Sequence, residues 1–142
     1  MNRETIYAAL FDLISGLPGI VTASRRLQHW DRVSPAQQPA LFQIQKKETP
    51  AQKRGLPAAW TLECDLVLYV NAGADPNAVP ASALNPLIDA IDQAIAPPSG
   101  QEVQTLSGLV SHCWIDKSGI VTDEGVLGAQ AIAIVPVQIL VP

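Results

Sequence analysis

The chain has 142 residues, 48% of them apolar and 15% charged, with a formal net charge of −4. That is the ordinary size of one domain with a real core, and it excludes a largely disordered chain. Seven of the nine basic residues fall between Arg25 and Arg54, opposed there only by Asp31 and Glu48, whereas residues 55–142 hold Lys117 against nine acids.

In chain order, residues 3–16 read as a helix, with Ile6, Leu10, Leu13, Ile14 and Leu17 at helical spacing and Gly16-Leu17-Pro18-Gly19 as its stop. This charged, amphipathic opening lacks the apolar core of a signal peptide, and no run approaches the ~20 apolar residues that span a bilayer. A soluble protein made in the cytosol, with no membrane contact, is the expectation. Ile20 to Trp30 is strand-like, and residues 31–39, broken by Ser34, Pro35 and Pro39, form a loop. Ala40 to Lys46 reads as a short strand with Phe42 and Ile44 on one face. The polar segment Lys47 to Gly55 follows, and then the clearest strand, Ala58 to Val70. There Trp60, Leu62, Cys64, Leu66, Leu68 and Val70 share one face while Thr61, Glu63 and Asp65 share the other, which is the alternation of an antiparallel strand with one wet side. The two strands and the basic segment between them read as a hairpin arm longer than usual.

After a Gly/Asp/Pro/Asn loop, Asn85-Pro86 reads as an N-cap and first helical position, leading into an apolar stripe of Leu87, Ile88, Ile91 and Ile95 that stops at Pro97-Pro98-Ser99-Gly100. Val103 to Ile115 and Ala129 to Val141 read as the last two strands, joined by Asp116-Lys117-Ser118-Gly119 and a segment through Gly128. Pro136 predicts an edge strand or a bulge. The order α-β-β-β-α-β-β predicts an α+β fold over residues 1–142: one domain, a mainly antiparallel sheet of about five strands, and two helices on one face.

Cys64 and Cys113 lie in apolar runs without metal-ligand spacing and are expected as buried free thiols. There is no phosphate-binding glycine loop, dinucleotide fingerprint, zinc-protease motif or nucleophile elbow. His112 and Cys113 are adjacent on a strand and point to opposite faces. Glu63 and Asp65 form an i, i+2 acid pair and Asp123-Glu124 a second, but neither brings the further oxygen ligands a metal site needs. No enzyme activity, cofactor or metal is expected. The basic segment lacks the interleaved aromatics and helical motifs of nucleic-acid binders, and the acidic whole repels a polyanion, which leaves transient contact with passing duplex DNA. A solvated basic loop and a surface for an oppositely charged partner or neighbouring copy both fit the cations.

Four segments stand out: Glu4-Thr5-Ile6-Tyr7-Ala8-Ala9-Leu10-Phe11-Asp12-Leu13 with Leu17-Pro18-Gly19-Ile20; Ala36-Gln37-Gln38-Pro39-Ala40-Leu41-Phe42 before a charged arm; Asn85-Pro86-Leu87-Ile88-Asp89-Ala90-Ile91; and the closing Ala131-Ile132-Ala133-Ile134-Val135-Pro136-Val137. With the element order, they make the chain similar to the tail terminator (tail completion) proteins of long-tailed bacteriophages, of the lambda minor tail protein U type. The resemblance covers essentially the whole chain. It implies a homohexameric ring at the tail–neck junction of a virion, capping the head-proximal end of the tail tube, stopping its polymerisation and offering the joining surface for the neck. The implied partners are further copies of the chain, the major tail tube protein and a neck or head-completion protein. Arg25, Arg26, Arg32, Lys46, Lys47, Lys53 and Arg54, with Glu63 and Asp65, are the expected interface residues. Another neck or head-completion ring, or a tube subunit, is the nearest alternative. A small enzyme or ligand-binding domain using His112 or Glu63/Asp65 is the more remote one.

Overall fold

A computed structural model describes residues 1–125 and 128–142. Val126 and Leu127, in the segment read as joining the last two strands, lie outside the described residues. Helix α1 spans Arg3–Ser15, and Asn2 caps it by accepting from the Thr5 amide at 3.1 Å. Its buried stripe, Ile6, Tyr7, Leu10 and Ile14, faces the sheet. The strands are β1 (Thr22–Ser24), β2 (Ala40–Ala51), β3 (Ala59–Asn71), β4 (His112–Ile115), β5 (Val121–Asp123) and β6 (Gln130–Val141), with helix α2 (Pro80–Ile95) between β3 and β4. The sheet order is β1-β2-β3-β6-β4, and β5 also pairs with β6. All pairings are antiparallel except β1 with β2, so the fold is α+β with a mixed, mainly antiparallel sheet.

Both helices pack on one face of the sheet, as the single wet face of β3 predicts. Leu62, Cys64, Leu66, Leu68 and Val70 of β3 meet alternate residues Ala131 to Val141 of β6 and the apolar stripes of α1 and α2 in one buried cluster. The opposite face carries a smaller cluster, Val33, Ala40, Phe42, Val67 and Tyr69, flanked by Trp30, Ile44, Ile132 and Ile134. The segment between β1 and β2 folds over this second cluster. Gln130 donates to the Trp30 carbonyl (3.2 Å), Gln38 donates to Gln130 (3.2 Å) and to the Val33 carbonyl (3.0 Å), and Tyr69 donates to the Gln28 carbonyl (3.0 Å).

Five expectations are corrected. The strand expected over Ile20 to Trp30 is only three residues long, because the chain turns away to cover the second face through short 3-10 turns at Trp30–Arg32 and Pro35–Gln37. The charged segment after Lys46 is strand, not loop: β2 runs to Ala51, paired throughout with β3, and a bulge between Gln45 and Glu48 absorbs the extra residue. The hairpin loop is therefore residues 52–58, and β6 accompanies β3 to Trp60, so the tip extends just past the sheet rather than forming a long arm.

The second helix starts at Pro80, and Pro86 lies inside it. Pro86 and Ser82, whose carbonyl loses its i+4 donor there, are both exposed, so the missing bond falls on the solvent side of the helix. The run from Val103 to Ser111 is not strand. Leu106, Ser107 and Gly108 all have positive φ (50°, 62° and 87°), and only His112–Ile115 joins the sheet. Finally, β6 is an interior strand, yet Pro136 fits it. Its carbonyl accepts from the Asp116 amide at 2.8 Å, so its ring nitrogen faces the same side, where β5 has ended at Ile134 and β4 begins at Val137. The proline occupies the one gap in that flank, an edge within a central strand.

Buried Gln104 organises the irregular stretch. Its side chain donates to the Ala96 and Ala94 carbonyls at 3.2 and 3.5 Å, closing the end of α2, and accepts from the Leu106 amide at 3.1 Å. Its backbone receives the Cys113 amide at 2.8 Å and donates to His112 Nδ1 at 3.2 Å. One residue thus joins the end of α2 and the left-handed turn through its side chain, and β4 through its backbone.

Candidate functional site

The cations divide once placed on the fold. Arg25, just after β1, grips both carboxylate oxygens of Glu4 on α1 and holds that carboxyl below its usual range. Lys46 reaches Asp65 across the β2–β3 pair at 3.5 Å, and Gln138 of β6 donates to Glu63 at 3.2 Å. These expected interface residues have partners within the chain. Arg3, outside the basic segment, does likewise: it pairs with Glu48 and lies 4.9 Å over the Trp60 ring, while Tyr7 donates to Glu48 at 3.1 Å. Burial, and then the neighbouring Glu48 charge, raise the Tyr7 hydroxyl, keeping it a neutral donor.

Among the described residues, Arg26, Arg32, Lys47, Lys53 and Arg54 make no ion pair. They form two surfaces. Arg26 and Arg32, with Leu27, Gln28, His29 and Asp31, line an open concavity of about 690 Å³ on the segment that covers the second face. Lys47, Lys53 and Arg54 sit along the outer edge and tip of the β2–β3 hairpin. Past Phe42 this edge has no further strand beside it, since β1 pairs only with Ala40 to Phe42. The bulge, two lysines and Pro50 along it are features that discourage strand addition by another chain.

The opposite edge, missed from sequence, is acidic. A notch of about 310 Å³ lies where the end of α2 meets β4, lined by Asp92, Ile95, Ala96, Pro97, Glu102 and His112 to Ile115. Asp92 and Glu102 are exposed, in no ion pair among the described residues, and no Lys or Arg lines the notch. The only sequence signal for it was the crowding of acids after residue 55, because the pairing of α2 with the 102–115 segment depends on the unforeseen turn at Leu106.

His112 and Cys113 face opposite sides as expected: His112 stacks on Trp114 (4.9 Å between ring centres), and Cys113 lies in the main core. Cys64 and Cys113 are both free and buried. The intervening strand β6 keeps them roughly 10 Å apart, beyond disulfide reach. Burial pushes the Cys113 thiol up to about 12 and raises that of Cys64 too. An exposed thiol in the unfolded chain titrates near ~8.5, so above that pH the unfolded state releases protons that the folded state still holds. Stability is therefore unaffected below that pH and falls as pH rises from about 8.5 towards 12, by about 1.4 kcal/mol per thiol per pH unit. Urea midpoints across this window should fall more steeply for the native chain than for Cys64→Ala/Cys113→Ala, whatever the variant's baseline. Parallel slopes would show that the thiols ionise equally in both states.

No group of three or more His, Cys, Asp or Glu that could hold a metal ion occurs among the described residues, and no helix there is long and apolar enough to cross a membrane. What the geometry does present is two edges of opposite charge on one sheet. Comparison with protein-family models finds no match, and neither does comparison with curated proteins. Among solved structures, the chain is similar to one described as "Virion of native gene transfer agent (GTA) particle", at 9% identity and a TM-score of 0.56, over 96% of this chain and 93% of that one. At that identity the likeness establishes a shared fold.

Proposed function

We propose that this chain is a structural, non-enzymatic protein of a phage-like virion, which caps the head-proximal end of a tail tube as a homohexameric ring. In this role it stops tube polymerisation and offers a surface for the neck. The carrying observation is the likeness, across nearly the full length of both chains, to a protein from a gene transfer agent virion. The sequence resemblance to tail terminators supports the finer assignment. Opposite charge on the two flanks of one sheet suits head-to-tail association, in which two different surfaces meet and a ring closes by rotation. The tube protein and a neck or head-completion protein are the proposed axial partners, and the Arg26–Arg32 concavity is where passing duplex DNA touches transiently.

Light scattering and negative-stain microscopy of the purified chain, alone and mixed with tail tubes, test this reading. Rings, alone or on tube ends, are expected. A chain that stays monomeric and leaves tube ends bare would overturn it.

A further inference from the structure

The two charged edges lie at the same end of the sheet. Residues Glu48 to Ala51 of β2 pair with Ala59 to Leu62 of β3, β3 from Trp60 to Cys64 pairs with β6 from Val137 to Val141, and β6 there pairs with His112 to Ile115 of β4. The hairpin tip, just past the sheet, and the notch thus lie at the same end, with β6 and about 10–14 Å of sheet width between them. Among the described residues, Lys53 and Arg54 at the tip make no ion pair. The tip holds Lys53 and Arg54 with no carboxylate between Glu48 and Glu63, and beside them Leu56, 58% exposed. The notch offers the complement: Asp92 and Glu102 at its rim, and an apolar lining from Ile95, Pro97, Trp114 and Ile115.

We infer that the notch between α2 and β4 receives the hairpin tip of a second copy of this chain, with Leu56 in the apolar lining and Lys53 and Arg54 against Asp92 and Glu102. The inference rests on the self-assembly reading above and specifies its contact. Opposite charges at the rim set register and approach, while the leucine supplies apolar burial. The bulged, lysine-bearing edge of β2 disfavours pairing by backbone, so the contact runs through side chains. Because each copy carries one tip and one notch at opposite edges, the contact propagates in one direction around a closed set.

Charge reversal with rescue tests this. Lys53→Glu/Arg54→Glu and, separately, Asp92→Lys/Glu102→Lys should each raise the protein concentration needed for half-assembly by about tenfold or more at low salt. Both variants should keep the far-ultraviolet circular dichroism of the native chain, since all four side chains are exposed. An equimolar mixture of the two meets opposite charges at every contact when the variants alternate around the ring, so it should regain assembly. The stricter species is the quadruple variant, in which tip and notch exchange signs within one chain. It should assemble like the native chain. In addition, Leu56→Cys/Pro97→Cys should form a disulfide between copies under mild oxidation, with the native thiols buried and silent. Native assembly left unchanged by either reversal, or no rescue in the quadruple variant, overturns this contact while leaving ring formation standing. A native chain that does not assemble, with or without tube ends, overturns both.

Discussion

Replacing Gln104 with alanine is expected to lower stability by about 3 kcal/mol, although Gln104 belongs to no helix or strand. The substitution removes two donations to α2 carbonyls and one acceptance from the Leu106 amide. Each buried backbone group left without a partner costs about 1–3 kcal/mol, with solvent access at the helix end moderating the sum. The effect reaches further than the local bonds. Leu106 and Ser107 hold left-handed backbone angles that cost an ordinary residue roughly 1–2 kcal/mol each, and the Gln104 side chain holds that turn together with Thr105, whose carbonyl accepts from the Gly108 and Val110 amides. Denaturant unfolding should show a lowered midpoint with an unchanged slope, and Tm should fall by about 10 °C in a domain of this size. A loss below ~1 kcal/mol would mean that water or a shifted turn satisfies those groups equally well.

The second large effect is expected on the other side of the sheet. Phe42 is fully buried between β2 and the covering segment, with the Tyr69 ring 5.5 Å away and Val33 in the same cluster. Phe42→Ala should cost about 3–5 kcal/mol, the usual range for emptying such a site. The cluster has only five buried members, so it has little means of collapsing around the void. The segment that carries Arg26, His29 and Arg32 would lose its apolar anchor and keep only the glutamine and Tyr69 hydrogen bonds. Amide exchange over residues 26–37 should accelerate well beyond the change in global stability, while α1 and β3 follow the global change alone. Uniform acceleration would show that this segment unfolds only with the whole domain.

The parts of the fold legible in sequence were those set by local periodicity. Alternation in β3 located the face that packs on the helices, and the stripe of α1 located its buried side, but the face read as wet is partly open only from Thr61 to Asp65, with Val67 and Tyr69 buried beneath the covering segment. Pro136 predicted an edge strand or a bulge; β6 is interior instead, and the proline falls at the gap between β5 and β4. The misread parts are those where a tertiary contact outweighs a local signal. Val103 to Val110 is apolar enough for a strand, but bonds to Gln104 and Thr105 bend it into a turn. Pro86 reads as a helix start, but it stands on the solvent side of α2, where its missing donor costs little more than the local strain. Lys47 to Ala51 reads as a loop because it is polar, yet pairing with β3 and the salt bridge from Arg3 to Glu48 hold it in the sheet, with the Lys46–Asp65 pair beside it.

The candidate site shows the same division. The concentration of cations was visible at once, but which of them are free was not. Arg25 and Lys46 are neutralised by Glu4 and Asp65, residues distant in sequence or opposite in a pair whose register a bulge shifts. The acidic notch needs α2, Glu102 and β4 brought together, and no linear pattern announces that.

A chain with the proposed capping role ends a polymer. Tail tube protein polymerised in the presence and absence of the purified chain, with tube lengths and ends scored by electron microscopy, tests for that role. Growth arrested in proportion to added chain, with ring density on one end of each tube, is the predicted result. An unchanged length distribution with bare ends would contradict it.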